Sequence, residues 1–313
     1  MKKLARFLFK TAIILFVLVN IVTAFHAYKF THIYNRDEVE IKSKDEKNGW
    51  DVTKEILFGA KAVKLQNPAP DSVIETILLT TKDSIKLETW YIKTPAASKG
   101  TVILFHGHLS KKSSVASEAA GFRQMGYHTL LVDLRAHGGS GGNTCTIGYD
   151  ESEDIKLAYD YIKSKGEHNI VLWGISMGAA AVSKAISDYG LQPSKVILEM
   201  PFATIRQAAH GRLKLMGMPA EPLSTLVLFW GSVENGFWAF GMKPAEFVKK
   251  ITMPTLLQWG RNDPRVLQEE TDAVYKNIAG KKQLVVYENS GHQSLCEKEN
   301  EKWMASVSSF LNQ

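Results

Sequence analysis

From Thr101 onward, short apolar runs alternate with amphipathic stretches, and this rhythm leaves the chain few architectures. The runs are Thr101 to Phe105, Tyr127 to Leu134, Asn169 to Trp173, Lys195 to Met200, Thr255 to Trp259 and Gln283 to Tyr287. Such alternation predicts an α/β fold with a parallel, doubly wound sheet. Val73 to Thr80 and Ser84 to Lys93, joined by a Thr-Lys-Asp turn, predict a hairpin that opens the sheet and makes it mixed. Ligands of such sheets bind beyond the carboxyl ends of the strands, so chemistry is expected in the residues that follow each run.

The most informative of these ends is Asn169 to Ser183, which reads as strand, sharp turn, then an alanine-rich helix. Ser176 stands at the corner, flanked by Gly174 and Gly178 at G-x-S-x-G spacing. A side chain at either glycine would collide with the neighbouring strand and helix at so tight a bend, and the turn lifts the serine hydroxyl clear of the sheet. The helix that begins at Met177 aims its free amides and positive dipole end at the place where an acyl oxyanion would form. An incidental strand-to-helix turn is the alternative for the motif alone.

After the run ending at Phe105 comes His106-Gly107-His108, where Gly107 would let the amide of His108 join that of Met177 at the oxyanion. After the next run comes Asp133-Leu134-Arg135-Ala136-His137-Gly138-Gly139-Ser140-Gly141-Gly142. His106, His108, Asp133 and His137 have no standard zinc spacing and no thiolate among them, so no metal is expected. Asp133, Arg135 and His137 are expected to tie this glycine-rich loop together by hydrogen bonds.

Phe105-His106-Gly107-His108, Asp133-x-Arg135-x-His137-Gly138-x-Ser140, Gly174-x-Ser176-x-Gly178, Gly260-Arg-Asn-Asp263 and Ser290-Gly291-His292 together resemble the α/β-hydrolase superfamily. They are similar in particular to its bacterial serine esterase and lipase-like members, with serine aminopeptidases among the relatives. The likeness runs from about Val73 to the C-terminus; Ala136 departs from it where many relatives carry Gly. It implies a triad in the order nucleophile, acid, base: Ser176, Asp263, His292. His292 would take the proton from Ser176, and Asp263 would orient and stabilise the imidazolium. An unperturbed imidazole titrates near ~6.5 and so is largely neutral at neutral pH. Glu199, which ends the run Lys195 to Met200, is the competing acid.

Between Pro201 and Pro244 the strand-helix rhythm breaks, which predicts a small helical cap over about 201–244. Phe229, Trp230, Phe237, Trp238 and Phe240 exceed what a crossover helix needs, so some are expected to line an apolar acyl pocket. Glu221 and Glu234 are the cap carboxylates that a peptidase could offer a substrate amine. Cys145 and Cys296, the two cysteines, both fall in loops at the carboxyl end of the sheet, and their pairing is left open.

Lys2, Lys3, Arg6 and Lys10 supply four of the six net positive charges and precede the apolar run Thr11 to Phe25. That layout is a signal anchor or an export signal cleaved after Ala24, with the globular part outside the cytoplasm in either case. The charge left over is too small for a nucleic-acid-binding face. The expected organisation is a membrane segment at 1–28, a charged connector at 29–72 and an α/β-hydrolase domain at 73–313. The expected function is a serine hydrolase acting on carboxylic esters with an apolar acyl part through an acyl-enzyme, without cofactor or metal. The alternatives are a peptidase or thioesterase with the same triad, or an inactive binding protein of the same fold.

Overall fold

The computed structural model describes residues 1–68 and 75–313; Val73 and Ile74, the expected start of the hairpin, lie outside the described residues. The chain opens with α1 (Lys2–Thr31), β1 (Ile33–Tyr34), α2 (Gly49–Phe58) and β2 (Ala62–Val63), where β1 and β2 pair in parallel. The hairpin follows as β3 (Glu75–Thr80) and β4 (Lys86–Ile92). Then come β5 (Thr101–Phe105), α3 (Ala116–Gln124), β6 (His128–Val132), α4 (Glu151–Ser164), β7 (Ile170–Ile175), α5 (Met177–Tyr189) and β8 (Lys195–Glu199). The cap region holds α6 (Ile205–Leu215) and α7 (Leu223–Asn235), and α8 (Pro244–Phe247) returns to the body. The chain closes with β9 (Thr255–Gly260), α9 (Gln268–Asn277), β10 (Lys282–Tyr287), α10 (Leu295–Lys298) and α11 (Asn300–Leu311).

The eight-stranded sheet has the order β10-β9-β8-β7-β5-β6-β4-β3. Only β4 runs against its neighbours, because it is antiparallel to both β3 and β6. The central strands are mostly apolar because helices cover both faces: β5 and β9 are buried along their whole length, Thr101, Thr255 and Gln258 being their polar members. Each fully buried Leu, Ile, Val or Phe among them contributes about 1.5–3 kcal/mol. The helices that cover the sheet differ in kind. In α4, Ile155, Ala158, Tyr159 and Ile162 form one buried stripe at helical spacing. In α5, every residue from Met177 to Ile186 is buried, and its alanines let it approach the sheet closely. It ends at Gly190 in the left-handed region (φ 62°), a cap conformation that favours glycine.

Helix α1 runs past both ends of the apolar run, since no proline or glycine occurs before Gly49 to stop it. Large side chains from Leu4 to Ile21 are exposed, whereas Thr23, Ala27 and Thr31 form a buried stripe on the last turns. That stripe is where the body holds the helix. The Trp230 indole of α7 donates to Asn20 Oδ1 at 3.1 Å, and Asn235 Nδ2 donates to Thr31 Oγ1 at 3.3 Å.

One buried ion pair braces the sheet beneath its carboxyl end. Lys112 Nζ lies 2.6 Å from Asp133 Oδ2 and 2.5 Å from Glu88 Oε1, and 4.5 Å from the centre of the Trp90 ring. The side chains of Lys112 and Asp133 are both fully buried. Removing one partner leaves the other charge buried without compensation, which costs about 3–5 kcal/mol. Lys112→Ala is expected to lose about that much stability by urea denaturation of the micelle-bound chain, and a loss below about 1 kcal/mol would refute this account of the pair.

Candidate active site

Ser176 occupies the single residue between β7 and α5 with φ 54° and ψ −116°, a conformation that costs a non-glycine residue roughly 1–3 kcal/mol. Close backbone packing holds it there. A Cβ on Gly174 would lie 2.6 Å from the Gly178 carbonyl carbon, and one on Gly178 would lie 2.3 Å from the Phe105 carbonyl oxygen. The Ser176 amide also donates to the Glu199 carbonyl at 2.8 Å, tying the corner to the end of β8. The side chain remains partly exposed.

Two loops bring an acid and an imidazole to this serine. The loop after β9 crosses the loop after β10 at Gly260, where a Cβ would meet the carbonyl oxygens of Ser290 and Gly291 at 2.6 Å. Asn262 N then donates to the Ser290 carbonyl at 2.9 Å, holding the loops in register. Asp263 is nearly fully buried, and its Oδ1 accepts from the amides of Arg265 at 2.7 Å and Val266 at 3.0 Å. Its Oδ2 accepts from His292 Nδ1 at 2.6 Å, and His292 Nε2 lies 2.9 Å from Ser176 Oγ. The geometry is consistent with one tautomer: Nδ1 donates to the carboxylate, which leaves Nε2 free to accept the serine proton.

Glu199 is placed differently. Its Oε1 accepts from the indoles of Trp173 at 3.0 Å and Trp303 at 2.7 Å and from Gln258 Nε2 at 3.4 Å, and it makes no bond to His292 among the described residues. Burial, then the nearby Glu118 carboxyl, pushes its pKa up to about 8. Burial likewise pushes Glu118 up to about 7, while Ser294 donates to it at 2.5 Å. A carboxyl kept neutral by its surroundings is poorly suited to stabilise an imidazolium.

On the other side of the serine, a Cβ on Gly107 would stand 3.5 Å from Ser176 Cβ, so the His106-Gly107-His108 turn runs alongside the hydroxyl. Met177 N has no intrahelical acceptor, as the first amide of α5, and neither it nor His108 N has another acceptor among the described residues. The turn is pinned from below. His106 Nδ1 donates to the Gly107 carbonyl at 2.7 Å while Nε2 accepts from Leu134 N at 3.1 Å. His137 Nδ1 donates to the Arg135 carbonyl at 2.8 Å while Nε2 accepts from Leu109 N at 3.1 Å. Burial lowers the pKa of both rings, so both are neutral, as these bonds require, and neither has a lone pair left for a metal. Arg135 is held by Asp154 at 2.8 Å, and Asp133 accepts from Gly139 N at 2.8 Å.

Three neighbours of this turn have no signature in the sequence. Lys112 N donates to Asp133 Oδ1 at 2.6 Å, anchoring the chain just after the turn. Phe30 of α1 rests on the His108 ring with centroids 4.9 Å apart, and the Arg212 guanidinium of α6 lies 5.5 Å from the Phe30 ring centre. Burial, then Arg212, drives the His108 pKa down to about 3.

The cap aromatics divide. Phe237 packs on Tyr149 at 4.9 Å, Phe229 and Trp238 are exposed, and Trp230 turns to α1. Of the cap carboxylates, Glu221 accepts from Arg206 at 2.9 Å and from Ser224 at 2.8 Å. Glu234 lines a cavity of about 1250 Å³ between α1, α2 and α7, and burial pushes its pKa up to about 7. None of the Ser176, Asp263 and His292 side chains lines that cavity. Cys145 and Cys296 are buried free thiols: Cys145 Sγ lies 3.5 Å from Met177 Sδ, and Cys296 packs beside Asn300.

The Glu199 and Glu118 carboxyls yield a stability prediction. Their folded pKa values of about 8 and about 7 exceed the ~4.3 of an unfolded glutamate. The folded chain thus binds more protons than the unfolded one across that window, and the stability they contribute is lost as pH rises through 7 to 8. The wild-type thermal midpoint is expected to fall between pH 6 and 9. Glu199→Gln keeps the indole bonds and should flatten part of that fall; an unchanged slope would show that these groups do not titrate as described.

A family model described as serine aminopeptidase, S33, matches residues 96–232. Over 226 residues the chain is 27% identical to the uncharacterized protein YqkD of Bacillus subtilis (strain 168), covering 71% of this chain and 74% of that one. Over 224 residues it is 23% identical to a carboxylesterase of the same organism, covering 67% of this chain and 91% of the relative. Among solved structures, the esterase Pf2001 of Pyrococcus furiosus superposes with a TM-score of 0.65 at 25% identity, covering 79% of this chain and 95% of that one.

Proposed function

The chain belongs to the α/β-hydrolase superfamily and is a hydrolase; from that premise we propose that it cleaves carboxylic esters through a serine acyl-enzyme. The observation that carries this reading is the unbroken relay from Asp263 through His292 to Ser176, at 2.6 and 2.9 Å. Ser176 Oγ attacks the ester carbonyl as His292 Nε2 takes its proton, and the Asp263 carboxylate holds the resulting imidazolium. The amides of His108 and Met177 receive the oxyanion. His292 returns the proton to the departing alkoxide, and water then repeats the sequence on the acyl-enzyme and frees Ser176.

Ester cleavage is favoured over peptide cleavage by what became of the cap carboxylates. Glu221 is occupied by Arg206, Ser224 and Thr225, and Glu234 faces the cavity beside α1, so neither is free to hold a substrate amine at Ser176. The acyl part is apolar in this reading because the cap is rich in Phe, Trp, Leu and Met.

Helix α1 is read as an uncleaved membrane anchor with the body outside the cytoplasm, since its basic residues all precede its apolar ones. A span uses ~20 residues, so one that begins after Lys10 reaches to about Phe30, and the buried stripe Thr23, Ala27 and Thr31 lies along its outer turns and at its end. Phe30 then lies at the outer membrane surface, and it touches His108. Esters would thus be taken from the lipid surface itself.

A fluorophosphonate probe is expected to label the full chain and not Ser176→Ala; equal labelling of both would remove Ser176 from its role. Asp263→Asn should lower kcat on a medium-chain ester by on the order of 10⁴, as neutralising a triad acid does, while Glu199→Gln stays within about threefold. The reverse ranking would make Glu199 the acid. Medium-chain esters should exceed short polar ones in kcat/KM, and the chain should stay with membranes through alkaline carbonate washing.

A further inference from the structure

Above the His108 turn, two arginines stand together without a counter-ion. Arg212 is half-buried on α6, and Arg265, which is exposed, follows the candidate acid by two residues. Their elements are in direct contact, since a Cβ on Gly211 would lie 3.0 Å from the Arg265 carbonyl oxygen. Each guanidinium is the other's charged neighbour, and burial and Arg265 together lower the pKa of Arg212. Among the described residues neither forms an ion pair, whereas Arg135, Arg206 and Arg261 each hold a carboxylate. Asp263 is no counter-ion for them, because its oxygens are taken by His292 and by the amides of Arg265 and Val266. Beside them, His108 Nε2 is buried with no hydrogen-bond partner among the described residues. Two like charges at a partly dry site repel one another, and an anion between them would reverse the sign of that interaction.

We propose that Arg212 and Arg265 form an anion subsite beside the candidate oxyanion turn, so that the ester this chain cleaves also carries a phosphate or carboxylate. The proposal rests on the hydrolase reading and narrows its substrate class. The contacts fix where that charge lies: Ser176 adjoins Gly107, His108 follows it, and Arg212 reaches His108 across Phe30. The anionic portion of a substrate whose ester sits at Ser176 would thus lie on the side of the His108 turn. A guanidinium pair suits both anions, because each presents a planar fork to two oxygens.

The test uses the full chain in neutral detergent with three esters of one acyl length: 1-decanoylglycerol, its 3-phosphate, and the decanoyl ester of glyceric acid. Wild type should prefer one or both anionic esters over the neutral one by about tenfold or more in kcat/KM, the scale of one charged hydrogen bond. The preferred member tells phosphate from carboxylate. Arg212→Gln should collapse that ratio, Arg212→Lys should retain part of it, and added salt should erode it. Arg206→Gln, whose side chain is engaged by Glu221 on the exposed surface, should leave the ratio unchanged. Fluorophosphonate labelling, run in parallel, separates the two readings. If Ser176 labels but wild type shows no anionic preference, or Arg212→Gln slows all three esters equally, the subsite is wrong and the hydrolase reading stands. If Ser176 does not label and no ester is cleaved, both fall.

Discussion

The close approach of α5 to the carboxyl ends of the central strands β5 and β7 is the constraint on which the rest of this structure depends. Gly178 brings the helix against the Phe105 carbonyl, and Gly174 lets the strand leave β7 beneath it, so Ser176 is held at φ 54° with no room to relax. The strain is small beside the burial of α5, whose first ten residues are all buried. Because the same contact sets the end of β5 against the start of α5, the His106-Gly107-His108 turn and the serine are positioned by one packing event.

Beneath that corner the fold spends buried polar groups rather than apolar ones. The Lys112–Asp133–Glu88 cluster, the neutral rings of His106 and His137, and the Arg135–Asp154 pair all tie loops whose backbone amides have no strand or helix to join. A loop cannot be held by apolar contacts alone when its amides must be satisfied away from water. The Glu199 carboxyl serves the same end on the far side, joining Trp173 of β7 to Trp303 of α11. These groups hold the loops around the candidate site in place without touching Ser176, Asp263 or His292.

Helix α1 links the body to whatever surrounds it. Its exposed first part and its docked last turns are one continuous helix, so the cap helix α7 and the His108 turn are fixed relative to the apolar segment. Phe30 carries the helix to the candidate site, with the His108 ring and the Arg212 guanidinium both packed against it.

What the sequence by itself determined is what local chemistry decides. The strands of the sheet were legible because runs covered on both faces are predominantly apolar, and their observed ends fall within a residue or two of those runs. The corner at Ser176 was legible because only glycine fits the two close approaches beside it. Ser176, Asp263 and His292 could be singled out because each follows a strand, where the topology must gather them. The tertiary structure alone decided the rest. The apolar run could not show that its helix extends from Lys2 to Thr31 and docks by its last turns, because docking depends on α7, some 200 residues away. Nor could the second of two adjacent lysines announce itself as a buried counter-ion, or Glu199 as a neutral acceptor for two indoles. Arg212 and Arg265 meet only because α6 folds back over the loop after β9. Patterns within an element are written in adjacent residues, whereas the partners of a buried charge are set by which elements pack together.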